Sequence, residues 1–214
     1  MSDHNSAELS AKNEKVRRET AVYHQALGEM IERFSRVEGQ LQRVLWRETS
    51  TPPEVAKAIF SGVRIDQARD LIRRTREARG APESKLLARM FTQLGILNQA
   101  RNDIVHFGAW GDPELGRVVT NRRLAHIPER VRVLPISAEI LRNMSHDLAI
   151  INECIQAHLM MIAETPERTI DPEDWIGKVN QPLATYLSLG LSPWHYKQPS
   201  QGFTGRRSQK GSQG

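Results

Sequence analysis

The sequence predicts an all-α fold: a bundle of long antiparallel helices, with a small β-hairpin before the last helix and a flexible C-terminal tail. Two observations carry this prediction. Apolar residues recur at intervals of three and four over several stretches, as they do on one face of an amphipathic helix. A short segment ahead of the last stretch is instead rich in β-branched residues, which favour strands.

The first long helix is predicted from about Val16, after a polar segment, residues 1–15, that is expected to be disordered. Its apolar stripe consists of Tyr23, Leu27, Met30, Ile31, Phe34, Val37, Leu41, Val44 and Leu45. Pro52 and Pro53 are predicted to stop this helix, because proline lacks the N–H group that a helix interior needs.

Three more helical segments precede the hairpin. A short helix is expected over Pro53 to Phe60, and an amphipathic one ends near Gly80. The third begins after Pro82, with Ser84 as candidate N-cap, and ends at Phe107-Gly108, since glycine is well suited to helix termination.

The hairpin is predicted from Arg117 to Thr120 and from Val131 to Leu134, which are separated by turn-prone polar residues. Ser137 then opens the last long helix, which runs through Ile162. Residues 165–214 are rich in Pro, Gly and Gln and are predicted to form an extended, largely disordered tail. The bundle domain therefore covers residues 16–164. The tail aromatics fit either a partner anchor or a contact with the bundle, and the sequence leaves both open: Trp175, Trp194 and Tyr196.

Composition limits the classes of function. The 214 residues are 39% hydrophobic, which suffices for one core. No signal peptide or membrane segment is visible, and the single cysteine, Cys154, excludes an intramolecular disulfide and a cysteine-rich zinc site. We therefore expect a cytoplasmic protein without a membrane partner. The net charge of +5 and the pI near 9.6 permit RNA binding.

The main candidate site is the string from Arg101 to His106 at the end of the third of the long helical stretches. On an ideal helix, Arg101 and His106 are rotated by about 140° and do not share a face. Asn102 and His106 do share one, so that Asn102 can hydrogen-bond the imidazole and fix its tautomer. Arg101 reaches His106 only through its long side chain, through helix termination near Phe107, or from a second subunit.

The residue types suit phosphate chemistry. Histidine can take or give a proton near neutral pH, and arginine offers a planar fork to phosphate oxygens. Together, without a metal, they suit cleavage of RNA by its own 2′-hydroxyl. The competing interpretation is structural, because Arg or His in a last helical turn often caps free carbonyls. On spacing alone, capping is the more common explanation.

The string resembles the RxxxxH motif of HEPN domains, in its Arg-Asn form. The continuation Phe107-Gly108-Ala109-Trp110 is similar to that of uncharacterised bacterial members. A second likeness lies in Phe34 to Leu41, where such proteins often carry an acidic residue, here Glu38. The resemblance covers roughly residues 28–163.

The resemblance implies a metal-independent endoribonuclease of toxin or phage-defence type, without a cofactor. It implies a homodimer with a composite cleft, restrained by an inhibitory partner protein or by a signal. Arg101 and His106 would be catalytic, Asn102 supporting, and Glu38 would brace Arg101 unless it is simply a solvated glutamate. Many HEPN proteins only bind proteins or nucleotides, so a non-catalytic helical module is the alternative.

Two other features were weighed for binding. Arg73, Arg74 and Arg76 cluster near the end of the second amphipathic helix and either track an RNA backbone or form a solvated basic face. The histidines outside the motif show no metal-ligand spacing, and no metal site is predicted.

Overall fold

The structure is a computed structural model and describes residues 2–81, 85–112, 114, 116–121, 131–164 and 194–197. In these ranges the elements follow the order α1 (Ser2–Glu48), α2 (Pro53–Phe60), α3 (Ile65–Ala78), α4 (Lys85–Phe107), β1 (Ala109–Asp112), β2 (Gly116–Thr120), β3 (Val133–Pro135) and α5 (Ala138–Glu164). The predicted fold class is confirmed: a mainly helical chain with a small antiparallel sheet before its last helix. Among the described helices, none is long and apolar enough to cross a bilayer.

The core lies between α1, α4 and α5. Helix α1 packs against α5 and α3, and α4 packs against α5 and β2. The predicted stripe of α1 faces this core, because its members at spacings of three and four fall on one side of the helix. Fully buried side chains from the three helices include Met30, Phe34, Leu41, Leu45, Met90, Leu94, Leu97, Leu141, Met144, Leu148 and Ile151.

Helix α1 begins earlier than its apolar stripe. The segment predicted to be disordered, residues 1–15, is helical from Ser2, and its described side chains, residues 7–15, are exposed. Pairs spaced by four residues, Glu14 with Arg18 and Lys15 with Glu19, support the helix there without a core. The apolar pattern marks where α1 meets the bundle, and charged pairs and helix-forming residues extend it beyond.

The sheet has the order β1-β2-β3, with both pairs antiparallel. The predicted hairpin is confirmed as β2 and β3, in which Val119 faces Leu134. Strand β1 was not predicted. It forms because Gly108, with a φ of 66° that glycine tolerates, ends α4 and turns the chain back along β2. The Arg117 guanidinium of β2 lies 3.9 Å from the Tyr23 ring centroid and holds the sheet on α1.

Part of the C-terminal region returns to the bundle. Trp194 and Tyr196 pack against the core, and Tyr196 is buried. Contact with the bundle is therefore the role that the structure gives these two aromatics. Trp175, Ser84 and the tail stretches 165–193 and 198–214 lie outside the described residues, so the interpretations made for them stay predictions.

Candidate functional site

The motif occupies the last two turns of α4, where the helix gives way to the sheet. Helix α4 continues through Phe107, and the Gly108 N–H donates to the Ile104 carbonyl over 3.0 Å. Arg101 and His106 therefore lie in regular helix, and α4 does not end between them. The five-residue offset places their Cα atoms about 7.5 Å apart along the axis and rotates them by about 140°.

Arg101 is half-buried and held by two contacts. Its Cζ lies 5.2 Å from the ring centroid of Phe34, a buried residue of α1, which is within the range of a cation–π interaction. Its Nη1 donates to Asn102 Oδ1 over 2.9 Å. The Nε atom is buried and has no hydrogen-bond partner among the described residues. The guanidinium is thus positioned, with part of its donor capacity unused.

The His106 side chain is exposed. The hydrogen bond expected from Asn102 to the imidazole is not formed, because Asn102 Oδ1 accepts from Arg101 instead. Within the described part of the chain, His106 makes no hydrogen bond. Its imidazole is therefore accessible, and the structure does not join it to Arg101 or Asn102.

Asp103 is a neighbour that the sequence interpretation passed over. Its side chain is 16% exposed, and Arg132, just before β3, places Nη2 3.1 Å from Oδ1. Burial raises the pKa of Asp103, while the charges of Arg132 and His106 act in the opposite direction. The signal was present in the string, since Asp103 precedes His106 by three residues and shares its side of the helix.

Glu38 does not brace Arg101 in this structure. It is half-buried on α1, one turn beyond Phe34, and forms no ion pair or hydrogen bond with the described residues. The residue that contacts Arg101 from α1 is Phe34, through its ring face. Its position on the predicted apolar stripe, four residues before Glu38, was the available signal.

The three arginines considered for RNA binding, Arg73, Arg74 and Arg76, lie on α3 but do not form one face. Arg73 and Arg74 are exposed, and Arg73 Nε lies 4.0 Å from Glu77 Oε1. Arg76 points inward, with Nη1 2.7 Å from Oε1 of Glu48. Of these three arginines, Arg73 and Arg74 are therefore the two that are placed to meet a phosphate.

Glu48 is the centre of a buried charged cluster that sequence reasoning missed. Its Oε1 accepts from Arg76 and also lies 2.9 Å from Nε2 of His158 on α5. Burial alone would raise the pKa of Glu48, but hydrogen bonds and charges from His158 and Arg76 outweigh burial and lower the pKa. The cluster ties α1, α3 and α5 together, with Glu48 and His158 buried and Arg76 15% exposed.

The surface beside His106 is apolar in part. Val105 is 52% exposed and Trp110, on β1, is 46% exposed. The Trp110 Nε1–H donates to the Phe107 carbonyl over 2.9 Å, which fixes the indole near the end of α4. An exposed indole that is held near the end of α4, the helix of His106, can offer a stacking face to a nucleobase.

The motif does not assemble a metal site, since it brings together one imidazole and one carboxylate. Cys154 is buried on α5, and burial raises its pKa to about 12, so that it stays a thiol. Among the described residues, a group with metal-ligand geometry lies elsewhere, at His146, Asp147 and His195.

No protein-family model matches the chain, and neither the curated proteins nor the solved structures compared with it give a significant match. The likeness to HEPN domains therefore rests on the residues of the motif themselves.

Proposed function

We propose that the chain is a metal-independent endoribonuclease of the HEPN type, related to toxins or phage defence, that acts in the cytoplasm as a homodimer. The observation that carries the proposal is the exposed imidazole of His106, in the same helix as a guanidinium that Phe34 and Asn102 hold in place. An imidazole with no hydrogen bond in the described fold is available for proton transfer.

In the proposed reaction, the 2′-oxygen of a ribose attacks the adjacent phosphorus and the bond from phosphorus to the 5′-oxygen breaks. A His106 imidazole takes the proton of the 2′-hydroxyl, and an imidazolium gives a proton to the departing 5′-oxygen. Arg101 stabilises the negative charge that develops on the phosphorane oxygens. The products carry a 2′,3′-cyclic phosphate and a 5′-hydroxyl.

The helix geometry favours a composite site. Arg101 and His106 of one chain project from α4 in directions about 140° apart. The half-buried guanidinium is also held by contacts within its own chain. A second copy of the chain, with its own motif facing the first, would place the second imidazole that the reaction needs. The homodimer is therefore part of this proposal.

Exposed groups near the motif and on α3 supply further RNA contacts. The exposed Trp110 indole, held at the end of α4, offers a stacking face. Arg73 and Arg74 offer positive charge, whereas Arg76 is committed to Glu48. In this proposal Arg76 contributes to the fold and leaves RNA binding to the other two arginines.

The test is cleavage of a labelled structured RNA in EDTA by wild type, His106→Ala and His24→Ala. His24 is an exposed histidine of α1 outside the motif and serves as the matched control. We expect 2′,3′-cyclic phosphate ends from wild type and His24→Ala, and a rate lower by roughly 10²- to 10⁴-fold for His106→Ala. Equal rates for His106→Ala and wild type would end the proposal.

The second candidate is a non-catalytic helical module that binds a protein or a nucleotide. It is favoured by Arg101, whose guanidinium is engaged with its own fold. In that case Arg101 mainly braces α4 on α1. Neither the wild type nor the two histidine variants would then cleave RNA. Arg101→Ala would then lower the free energy of unfolding, while His106→Ala would leave it unchanged.

A further inference from the structure

The C-terminal segment 194–197 is fastened to the bundle through the carboxylate of Asp147, a fully buried residue of α5. Asp147 accepts the backbone N–H of His195 over 2.7 Å and that of Tyr196 over 2.9 Å. The side-chain amide of Gln93 donates to Asp147 over 2.7 Å and to the Tyr196 carbonyl over 3.0 Å. These bonds fix the position of the His195 backbone.

Fixing the backbone also brings two imidazoles together at the edge of the bundle. Trp194 and Tyr196 pack inward on either side of His195, whose side chain is 50% exposed. The His195 ring lies against the ring of His146, an exposed residue of α5, with centroids 4.0 Å apart and planes inclined by 58°. His195 Nδ1 lies 3.4 Å from Asp147 Oδ1.

We propose that His146, His195 and Asp147 form a binding site for a divalent transition-metal ion of the zinc class. One potential ligand atom from each of the three residues lies within 4.8 Å of the other two. Zinc bound by nitrogen at about 2.0–2.1 Å needs ligand atoms closer than this, and small rotations of two exposed rings supply the difference. Imidazole nitrogens are donors that zinc accepts, and water can occupy the remaining positions.

The three residues take different roles. His146 and His195 provide the nitrogen ligands, because their rings are exposed and can turn toward one ion. Asp147 is a positioning residue: its oxygens already accept three N–H groups, and its Oδ1 lies 3.4 Å from His195 Nδ1. A carboxylate behind a ligating histidine is the usual arrangement at zinc sites. Water completes the coordination.

The ion would join the C-terminal segment to α5 and stabilise the docked segment. Binding to the folded state alone raises stability with metal concentration. The inference is independent of the proposed nuclease function, because none of the three residues belongs to the motif of α4.

The test is titration of the full, tag-free chain with zinc chloride near neutral pH, after a chelator has been added and dialysed away. Calorimetry measures binding, and thermal unfolding measures the change in Tm. The variants are His146→Ala and His195→Ala, with His24→Ala as an exposed histidine outside the site. We expect one tight equivalent and a raised Tm for wild type and His24→Ala. Each site variant should bind at least about tenfold more weakly.

Cobalt(II) provides a second measurement, since its visible absorption reports nitrogen coordination and requires only that the variant folds. Wild type should give the absorption band, and both site variants should lose it. The proposal is overturned if wild type binds no zinc, or if His146→Ala and His195→Ala bind it as tightly as wild type does.

Discussion

Two places in the described part of the chain combine an arginine with a histidine, and they lie in different environments. Arg76 and His158 meet on one oxygen of Glu48, where Glu48 and His158 are buried and Arg76 is largely so. Arg101 and His106 share a helix but no carboxylate joins them, and the imidazole of His106 faces solvent. The same residue types therefore stabilise the fold in one place and remain available for chemistry in the other.

The difference follows from the cost of burying charge. A charged group inside a protein must be paired, and removing one partner leaves the others uncompensated. The Glu48 cluster is consequently expected to contribute to the stability of the folded state. The His106 side chain is exposed, so that its substitution is expected to change activity and leave the fold unaffected. Three predictions test this contrast.

The largest effect is expected for Glu48→Ala. The substitution leaves Arg76 and His158 buried without their carboxylate, and the free energy of unfolding should fall by roughly 3–5 kcal/mol. Urea denaturation measures it. Glu32→Ala, which removes an exposed ion pair with Arg36 one turn along α1, is the control and should change the same quantity by less than about 1 kcal/mol. Equal urea midpoints for the two variants would contradict the role given to Glu48.

A smaller effect should separate the two histidines. His158→Ala removes a buried hydrogen-bonding group and should lower the free energy of unfolding by about 1–3 kcal/mol. His106→Ala removes an exposed side chain and should change it by no more than about 0.5 kcal/mol. Urea denaturation of both variants at the same pH measures the difference. A His106 variant as unstable as the His158 variant would assign the motif a structural role.

The smallest effect is in the pH dependence of stability. Because the pKa of Glu48 is lowered from its ordinary value of 4.5, its contribution is complete above about pH 4.5 and is lost as the pH falls through the lowered pKa. The stability difference between wild type and Glu48→Gln should therefore shrink on acidification. Urea midpoints from neutral to acid pH measure it, and a difference that stays constant would show that the carboxyl keeps its ordinary pKa.

The fold was largely predictable because its signals are local. The α1 stripe, the helix over Pro53–Phe60 and the strands around Val119 and Leu134 each follow from spacing or residue type. Strand β1 was not predicted, because Ala109–Asp112 contains no β-branched residue and its pairing depends on the turn at Gly108. Patterns over a few residues do not indicate a strand whose pairing depends on a turn elsewhere in the chain.

The candidate site was predictable as a string and less so as a set of contacts. Helical spacing allowed a hydrogen bond between Asn102 and His106, but in the structure Asn102 Oδ1 accepts from the Arg101 guanidinium instead. Glu38 and Phe34 share a side of α1, and the ring contacts Arg101 where the carboxylate does not. Which of two neighbouring side chains makes a contact depends on side-chain conformations, and residue spacing does not determine these. The group at Asp147 and His195 joins residues far apart in sequence, which no spacing rule relates.

The bonds at Asp147 also have a consequence for fragments of the chain. A fragment that stopped at Glu164, where α5 ends, would retain the buried carboxylate and Gln93 but lose the N–H groups of His195 and Tyr196. It would also uncover the core surface beneath Trp194 and Tyr196. A recombinant fragment trimmed to the helices alone would therefore omit part of its own core.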